Sequence, residues 1–311
     1  MPLNLPWTRG YDRGFDWGYG PGTTERPPSV RRELIPVVWD GLWLNSGDLD
    51  TGLCVTVENI DGWLDSAPLD GNDVARVISD GASWGPKVIR QRTITISGAA
   101  TGPRDLLGQF RDQLAVRAAA REPALLAVGD WDLSRVLTAD VRAGSELYRH
   151  KPLGSTGFRY QVTLTAADPA RYAGTWGTAV LRNAGEGGTG RLYARDYRWN
   201  YRSPYLPNTA VLRNDGNAPA PVYALYEGDL TRSTLTDPHG GILLMDSIGA
   251  GMQIMVATAA LTAEAPGGYS RAPYILPGSR PMQVPPQSSS RWYLRSAGRG
   301  SITLAWRSTW A

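Results

Sequence analysis

Arg92-Thr93-Ile94-Thr95-Ile96-Ser97-Gly98 alternates: Arg92, Ile94 and Ile96 share one parity, Thr93, Thr95 and Ser97 the other. Successive side chains of a strand point to opposite faces of its sheet, so this stretch reads as a half-buried antiparallel strand. The same habit recurs on both sides of it. Leu53, Val55 and Val57 alternate with Cys54, Thr56 and Glu58, and Phe158, Tyr160, Val162 and Leu164 alternate with Arg159, Gln161, Thr163 and Thr165. Asp80-Gly81 supplies a turn signal between two of these runs. From Val30 to Asp168 the chain is therefore read as mostly strand.

A single helix interrupts it. Gly102 and Pro103 provide a start, with proline expected at the first helical position and Asp105 in the first turn, where the helix dipole favours it. Leu107, Phe110 and Leu114 follow at helical spacing and Pro123 ends the segment. An apolar stripe this narrow predicts packing of those three residues on a sheet rather than in a bundle.

Beyond residue 208 short strands return with Gly, Pro and Asn turns between them: Val222–Glu227, Ile242–Met245, Met252–Val256, Trp292–Arg295 and Ile302–Arg307. Such spacing without helical periodicity is the habit of a sandwich or barrel. The expected organisation is an aromatic, Gly/Pro-rich extension over 1–28, an α+β domain over 29–172, a connector over 173–208 and a β-sandwich over 209–311. Thr178-Ala-Val-Leu-Arg-Asn183 recurs as Thr209-Ala-Val-Leu-Arg-Asn214, read as two strand-then-turn elements and not as a repeat architecture.

Composition narrows the function. A chain of 311 residues suits two ordinary domains. Cys54 is the only cysteine, and His150 and His239 are the only histidines. A disulfide framework and zinc sites built on Cys/His clusters are thereby excluded. Cys54 lies in a strand-like run and is expected to be a buried thiol; His150 is read in a polar loop and His239 as a turn residue. No stretch approaches the roughly 20 apolar residues that span a bilayer. The first ten residues lack the charged start and apolar core of a signal peptide, so the chain is expected to be made and folded in a cytoplasm. Lys87 and Lys151 are the only lysines among 32 basic residues, a bias that a GC-rich coding sequence accounts for better than interface chemistry does.

No nucleophile elbow, Walker loop, His-Glu-x-x-His or dinucleotide fingerprint occurs, and no catalytic, metal-binding or cofactor-binding residue is assigned. Gly185-Glu-Gly-Gly-Thr-Gly190 lacks the Lys-Ser/Thr of a phosphate loop and reads as a flexible turn. Asp61 and Asp65 flank Trp63, which leaves a glycosidase as the weakest alternative, since turn chemistry already accounts for Asp61-Gly62. Tyr11, Phe15, Trp17 and Tyr19 are too aromatic for a solvated tail and are candidate subunit-interface residues. Tyr197, Trp199 and Tyr201 join them from an arginine-interleaved stretch. That stretch fits a protein interface better than nucleic acid, because the formal charge is only +3.

Taken in order, Asp61-Gly62-Trp63, Arg90 to Gly98, the helix, Ala167-Asp168-Pro169, Asn214 to Val222 and the closing Trp306-Arg307 resemble the pattern of siphophage distal tail proteins over residues 30–311. The resemblance implies a tail-tube-like belt domain that closes into a homo-hexameric ring, followed by a galectin-like or jelly-roll sandwich. It implies a structural, non-enzymatic role at the virion tail tip, without cofactor, membrane insertion or specific nucleic-acid binding. The partners implied are further copies of the chain, the tail tube protein, the tape-measure protein and the tail-associated hub protein that carries the fibres. The second reading is a carbohydrate-binding host-recognition module, with Tyr269, Tyr274, Trp292 and Tyr293 as candidate glycan contacts. Trp292 and Tyr293 must point to opposite faces of one strand, so at most one of them can face a ligand.

Overall fold

The computed structural model describes residues 35–47, 52–66, 68–71, 74–75, 80, 82–83, 87–130, 135–154, 156–182 and 208–311. These fall into two compact units that divide between Gly174 and Thr175. The architecture is mainly antiparallel β, and among the described residues there is one α-helix.

The first unit comprises β1 (Val37–Trp39), β2 (Leu42–Trp43), β3 (Ser46–Gly47), β4 (Cys54–Asp61), β5 (Arg92–Thr101), α1 (Arg104–Ala119), β6 (Ala124–Gly129), β7 (Val136–Pro152), β8 (Gly157–Ala166) and β9 (Arg171–Ala173). The strands run in the order β2-β1-β6-β7-β8-β5-β4-β3, with β9 also paired to β7. Val136–Val141 of β7 pairs with β6, and from Arg142 onward β7 pairs with β8, the register shifting between Ala143 and Tyr148. One strand thus carries the chain from one sheet into the next. Two short pairings, Leu69–Gly71 with Lys87–Ile89 and Val74–Ala75 with Ala82–Ser83, lie between β4 and β5.

The opening stretch lies in β5, and its alternation extends to Thr101. Arg92, Ile94, Ile96, Gly98 and Ala100 are buried, and Phe158, Tyr160, Val162, Leu164 and Ala166 of β8 are buried opposite them. The register sets large against small: Phe158 faces Ala100, and Tyr160 faces Gly98. A Cβ at Gly98 would lie 2.1 Å from the Thr56 carbonyl oxygen and 2.6 Å from the Tyr160 hydroxyl. That glycine lets both the Thr56 carbonyl and the Tyr160 phenol approach the strand closely. The Tyr160 hydroxyl donates to the Leu44 carbonyl at 2.8 Å, and burial, with the charge of Glu58 adding to it, raises its pKa above the ordinary tyrosine value.

Helix α1 closes this core. Leu107, Phe110, Leu114 and Ala118 are its buried residues, and it packs on β7 and β8. The Phe110 ring lies 6.2 Å from Phe158 and 5.8 Å from Tyr160, edge-on to the latter. Burial of a Leu or Phe side chain stabilises by about 1.5–3 kcal/mol. Pro103 is the N-cap, in extended conformation, and not the first helical residue. Its carbonyl accepts the first helical bond, from Leu107 N at 3.0 Å. The helix stops at Ala119, where Ala120 turns extended, before the restriction imposed by Pro123 applies.

The second unit comprises β10 (Gly177–Arg182), β11 (Thr209–Asn214), β12 (Ala220–Glu227), β13 (Thr231–Thr236), β14 (Ile242–Met245), β15 (Gln253–Ala257), β16 (Thr262–Ala265), β17 (Tyr269–Ser270), β18 (Gln283–Val284), β19 (Ser288–Ala297) and β20 (Ser301–Trp306). One sheet has the order β10-β20-β12-β15-β16-β17 with β18 on β12, the other β11-β19-β13-β14. Between them lies a core that includes Val222, Ala224, Tyr226, Ile302 and Leu304 from the first sheet and Leu235, Leu243, Trp292 and Leu294 from the second. Strand β10, which the sequence placed in the connector, is an edge strand of this unit. The two copies of Thr-Ala-Val-Leu-Arg-Asn occupy edge strands of opposite sheets, each inserting its leucine, Leu181 or Leu212, into the shared core.

Candidate functional site

Three of the short stretches in the first unit meet at one clasp. Arg92 is only 2% exposed. Its Nη1 donates to the carbonyls of Gly62 at 2.9 Å, Trp63 at 3.1 Å and Asp65, and its Nε donates to Pro169 at 3.0 Å. Arg171, also buried, donates from Nη1 to the same Trp63 carbonyl at 2.8 Å. Burial, with the charge of Asp65 opposing it, lowers the Arg92 pKa from the ordinary guanidinium value. Burial first, and then the neighbouring Arg92 charge, lowers that of Arg171 to about 10, with Asp130 raising it and Arg135 lowering it. Gly62 has φ +77°, and a Cβ there would sit 2.0 Å from the Thr93 carbonyl; only glycine accommodates both constraints. The Asp65 carboxylate accepts from Gly62 N at 3.1 Å, and Asp61 accepts from the Asn59 amide at 2.8 Å. Trp63 is buried and presents no face to a sugar, so the pair of acids lacks the stacking platform that suggested a glycosidase. The two carboxylates serve the turn.

The stretch opening the sandwich is held the same way. The Asn214 side chain is fully buried; its Nδ2 donates to the carbonyls of Ala218 at 2.7 Å, Val284 at 3.1 Å and Pro285 at 3.1 Å. Its Oδ1 accepts from Gly216 N at 3.0 Å and Thr309 N at 3.2 Å. Trp306 donates from its indole to the Arg213 carbonyl at 2.8 Å.

The other singled-out residues divide by burial. Trp292 lies fully inside the sandwich and cannot be a glycan contact, because its strand parity turns it onto the core. Tyr274 packs against the same core and its hydroxyl sits 4.0 Å from the Met252 sulfur. Tyr269 on β17 and Tyr293 on β19 are exposed. The structure does not bring the four together as one site. Cys54 is half-buried rather than buried, since its parity on β4 is opposite to that of Val55. His150 belongs to β7 and not to a loop, with its ring 6.3 Å from Phe158. His239 donates its backbone N–H to Asp237 at 2.7 Å and sets Nε2 3.0 Å from the Ser290 hydroxyl. Among the described residues no cluster of His, Cys, Asp and Glu could hold a metal ion, and no helix is long and apolar enough to cross a membrane.

Tyr11, Phe15, Trp17, Tyr19, Tyr197, Trp199 and Tyr201 lie outside the described residues. A candidate interface not singled out in the sequence lies beside the clasp. Leu64, next to buried Trp63, is 70% exposed, and Leu69, Val88 and Ile89 on the hairpin that follows are 50–65% exposed. Leu69 and Ile89 are cross-strand partners. A two-stranded ribbon is marginal in water by itself, and several exposed large apolar residues on one arm mark an interaction surface.

No family model and no curated protein matches the chain. Solved structures do. The crystal structure of SPP1 Dit (gp 19.1), described as a paradigm of the hub adsorption apparatus in Gram-positive infecting phages, is similar with a TM-score of 0.59 at 12% identity, over 89% of this chain and 100% of that one. Two structures of the phage P2 baseplate in its activated conformation, with Ca and with Sr, match with TM-scores of 0.42 and 0.43 at 9% and 8% identity. They cover 82% and 87% of this chain and 91% and 97% of those chains. The chain has the fold of the SPP1 Dit protein.

Proposed function

We propose that this chain is a distal tail protein of a long-tailed phage, a structural component of the tail tip that closes into a homo-hexameric ring. In this reading the first unit forms the ring. It joins the tail tube and tape-measure proteins on one side to the hub protein and its fibres on the other, and the sandwich braces the outside. The observation that carries the proposal is a fold shared with the whole of SPP1 Dit, a phage hub protein. The exposed apolar arm at Leu64, Leu69, Val88 and Ile89 supports it. A ring needs a heterologous contact repeated by rotation, and such an arm is suited to supply one half of it. No step of the role requires a reacting group.

The test is the mass of the purified chain, alone and with tail tube and hub proteins, by mass photometry and negative-stain imaging. A six-membered ring is expected. Leu69→Asp with Val88→Asp should abolish it while the denaturation midpoint stays within about 0.5 kcal/mol of the parent, as for surface changes. A chain that stays monomeric under all these conditions overturns the reading.

A further inference from the structure

The outer face of the four-stranded sheet of the second unit carries a concentration of exposed arginine. On β19 the residues alternate without exception: Ser290, Trp292 and Leu294 point into the core, and Ser289, Arg291, Tyr293 and Arg295 point outward and are exposed. The pairing register extends this face sideways. Arg291 is opposite the exposed Val211, and Arg295 is opposite Thr234, which is opposite Leu244. Tyr293 heads a row running through Thr236 and Ile242 to Arg280, whose bridge to Ile242 puts it on the same side.

Arg213 and Arg232 also lie on this side, but Arg213 is paired with Asp215 at 2.6 Å and Arg232 approaches Asp246 at 4.0 Å. Arg280, Arg291 and Arg295 have no carboxylate partner among the described residues, and no strand position on the face is acidic, the two paired aspartates lying just beyond the ends of β11 and β14. In a chain of net charge +3, three exposed guanidinium groups on one sheet face without a carboxylate partner among the described residues are a local accumulation, not a reflection of overall composition.

The geometry points to an extended anionic glycan, bearing phosphate or carboxylate groups along its length, as the partner of this face. Strand rise sets Arg291 and Arg295 about 14 Å apart with Tyr293 midway. Each guanidinium offers a planar fork that matches phosphate or carboxylate oxygens bidentately. The exposed phenol between them offers a flat apolar surface to a sugar ring and a hydroxyl for its edge. Single-stranded nucleic acid is served less well, because sequence-independent binding of bases uses a series of aromatic platforms, and this face has one. The site lies wholly within the second unit and does not depend on ring assembly.

The experiment titrates the full chain, by calorimetry at low and at physiological salt, with five probes. These are glycosylated poly(glycerol phosphate), hyaluronan, neutral dextran, oligothymidylate and polyglutamate. Saturable binding to one or both anionic glycans is expected, weakening as salt rises, and the stronger of the two identifies the anion. Arg291→Ala with Arg295→Ala should weaken it at least tenfold, and Tyr293→Phe should retain more affinity than Tyr293→Ala. All three residues are exposed, so these variants should keep the parent's circular dichroism and melting temperature, which checks folding. The inference is overturned by absence of saturable binding to either anionic glycan, or by binding indifferent to the arginine pair. Dextran, oligothymidylate or polyglutamate binding as tightly as the best anionic glycan would overturn it as well.

Discussion

Replacing Arg92 by methionine tests the clasp directly. The side chain keeps its bulk and loses every donor, so the carbonyls of Gly62, Trp63, Asp65 and Pro169 lose their common partner. A buried acceptor left unsatisfied costs about 1–3 kcal/mol. Against that gross loss stand the relief of a buried charge, already visible in the lowered Arg92 pKa, and the end of its repulsion with Arg171. No charge is left behind, and the Trp63 carbonyl keeps Arg171 Nη1 as a donor, so the net loss should be about 1–3 kcal/mol. With a urea dependence of about 1–3 kcal/mol/M, a loss of about 2 kcal/mol should lower the midpoint of the first unit by roughly 0.7–2 M. Trp63, buried beneath the turn, is one reporter by fluorescence, and near-ultraviolet circular dichroism is a second. Arg92→Lys keeps the charge but not the fork and should fall between parent and methionine. Arg90→Met, two residues away, removes only the exposed pair with Asp70 and should cost no more than about 1 kcal/mol. If Arg92→Met were as mild as Arg90→Met, the clasp would not be what holds these segments together.

Other substitutions address the core around it. Phe110→Ala should cost about 3–5 kcal/mol, read as a denaturation midpoint, because the ring is buried against Phe158 and Tyr160; a small change would mean that α1 is not docked in solution. Gly98→Ala should destabilise by about 1–3 kcal/mol or more, and Tyr160→Phe in the same chain should not rescue it, since the Thr56 carbonyl blocks the new methyl independently of the phenol. Tyr226 is fully buried and burial raises its pKa. Its folded-state pKa therefore lies above the unfolded value of about 10, so its contribution is complete below about pH 10 and is lost as pH rises further. Tyr226→Phe should flatten the alkaline fall in stability of the second unit, and an unchanged alkaline profile would contradict this.

Much of the fold was legible because period-2 alternation is a direct consequence of one buried face. The parity that groups Arg92 with Ile94 and Ile96 already placed a cation on the inner face, but parity says nothing about which carbonyls turn toward it. Arg171 carries no such signal in the sequence, because its strand has only three residues, too short to show a period. The same parity argument that allowed only one of Trp292 and Tyr293 to face a ligand could not say which; the burial of Ser290 and Leu294 beside Trp292 does. Strand β10 reads as connector because a glycine-rich run follows it, although its sequence repeats that of β11. The exposed arm was illegible for a simpler reason. Leu64, Leu69, Val88 and Ile89 look like core residues in a sequence, and only their burial distinguishes a core from an interface.

The short stretches Asp61-Gly62-Trp63, Arg92 and Ala167-Asp168-Pro169 meet for a physical reason that bears on function. Asp61-Gly62-Trp63 supplies carbonyls, Arg92 the donors and Ala167-Asp168-Pro169 the last acceptor, so three segments far apart in sequence are parts of one device that closes the first unit. Such a device fixes a fold through backbone carbonyls. Yet it is not remote from function. The turn that it holds from inside, through the Trp63 carbonyl, carries Leu64 on its outside and leads into the hairpin of Leu69, Val88 and Ile89. Two buried guanidinium groups thus fix the base of an arm whose apolar surface faces outward. A marginally stable ribbon that projects apolar side chains needs a rigid origin, and the two buried guanidinium groups of this unit supply it.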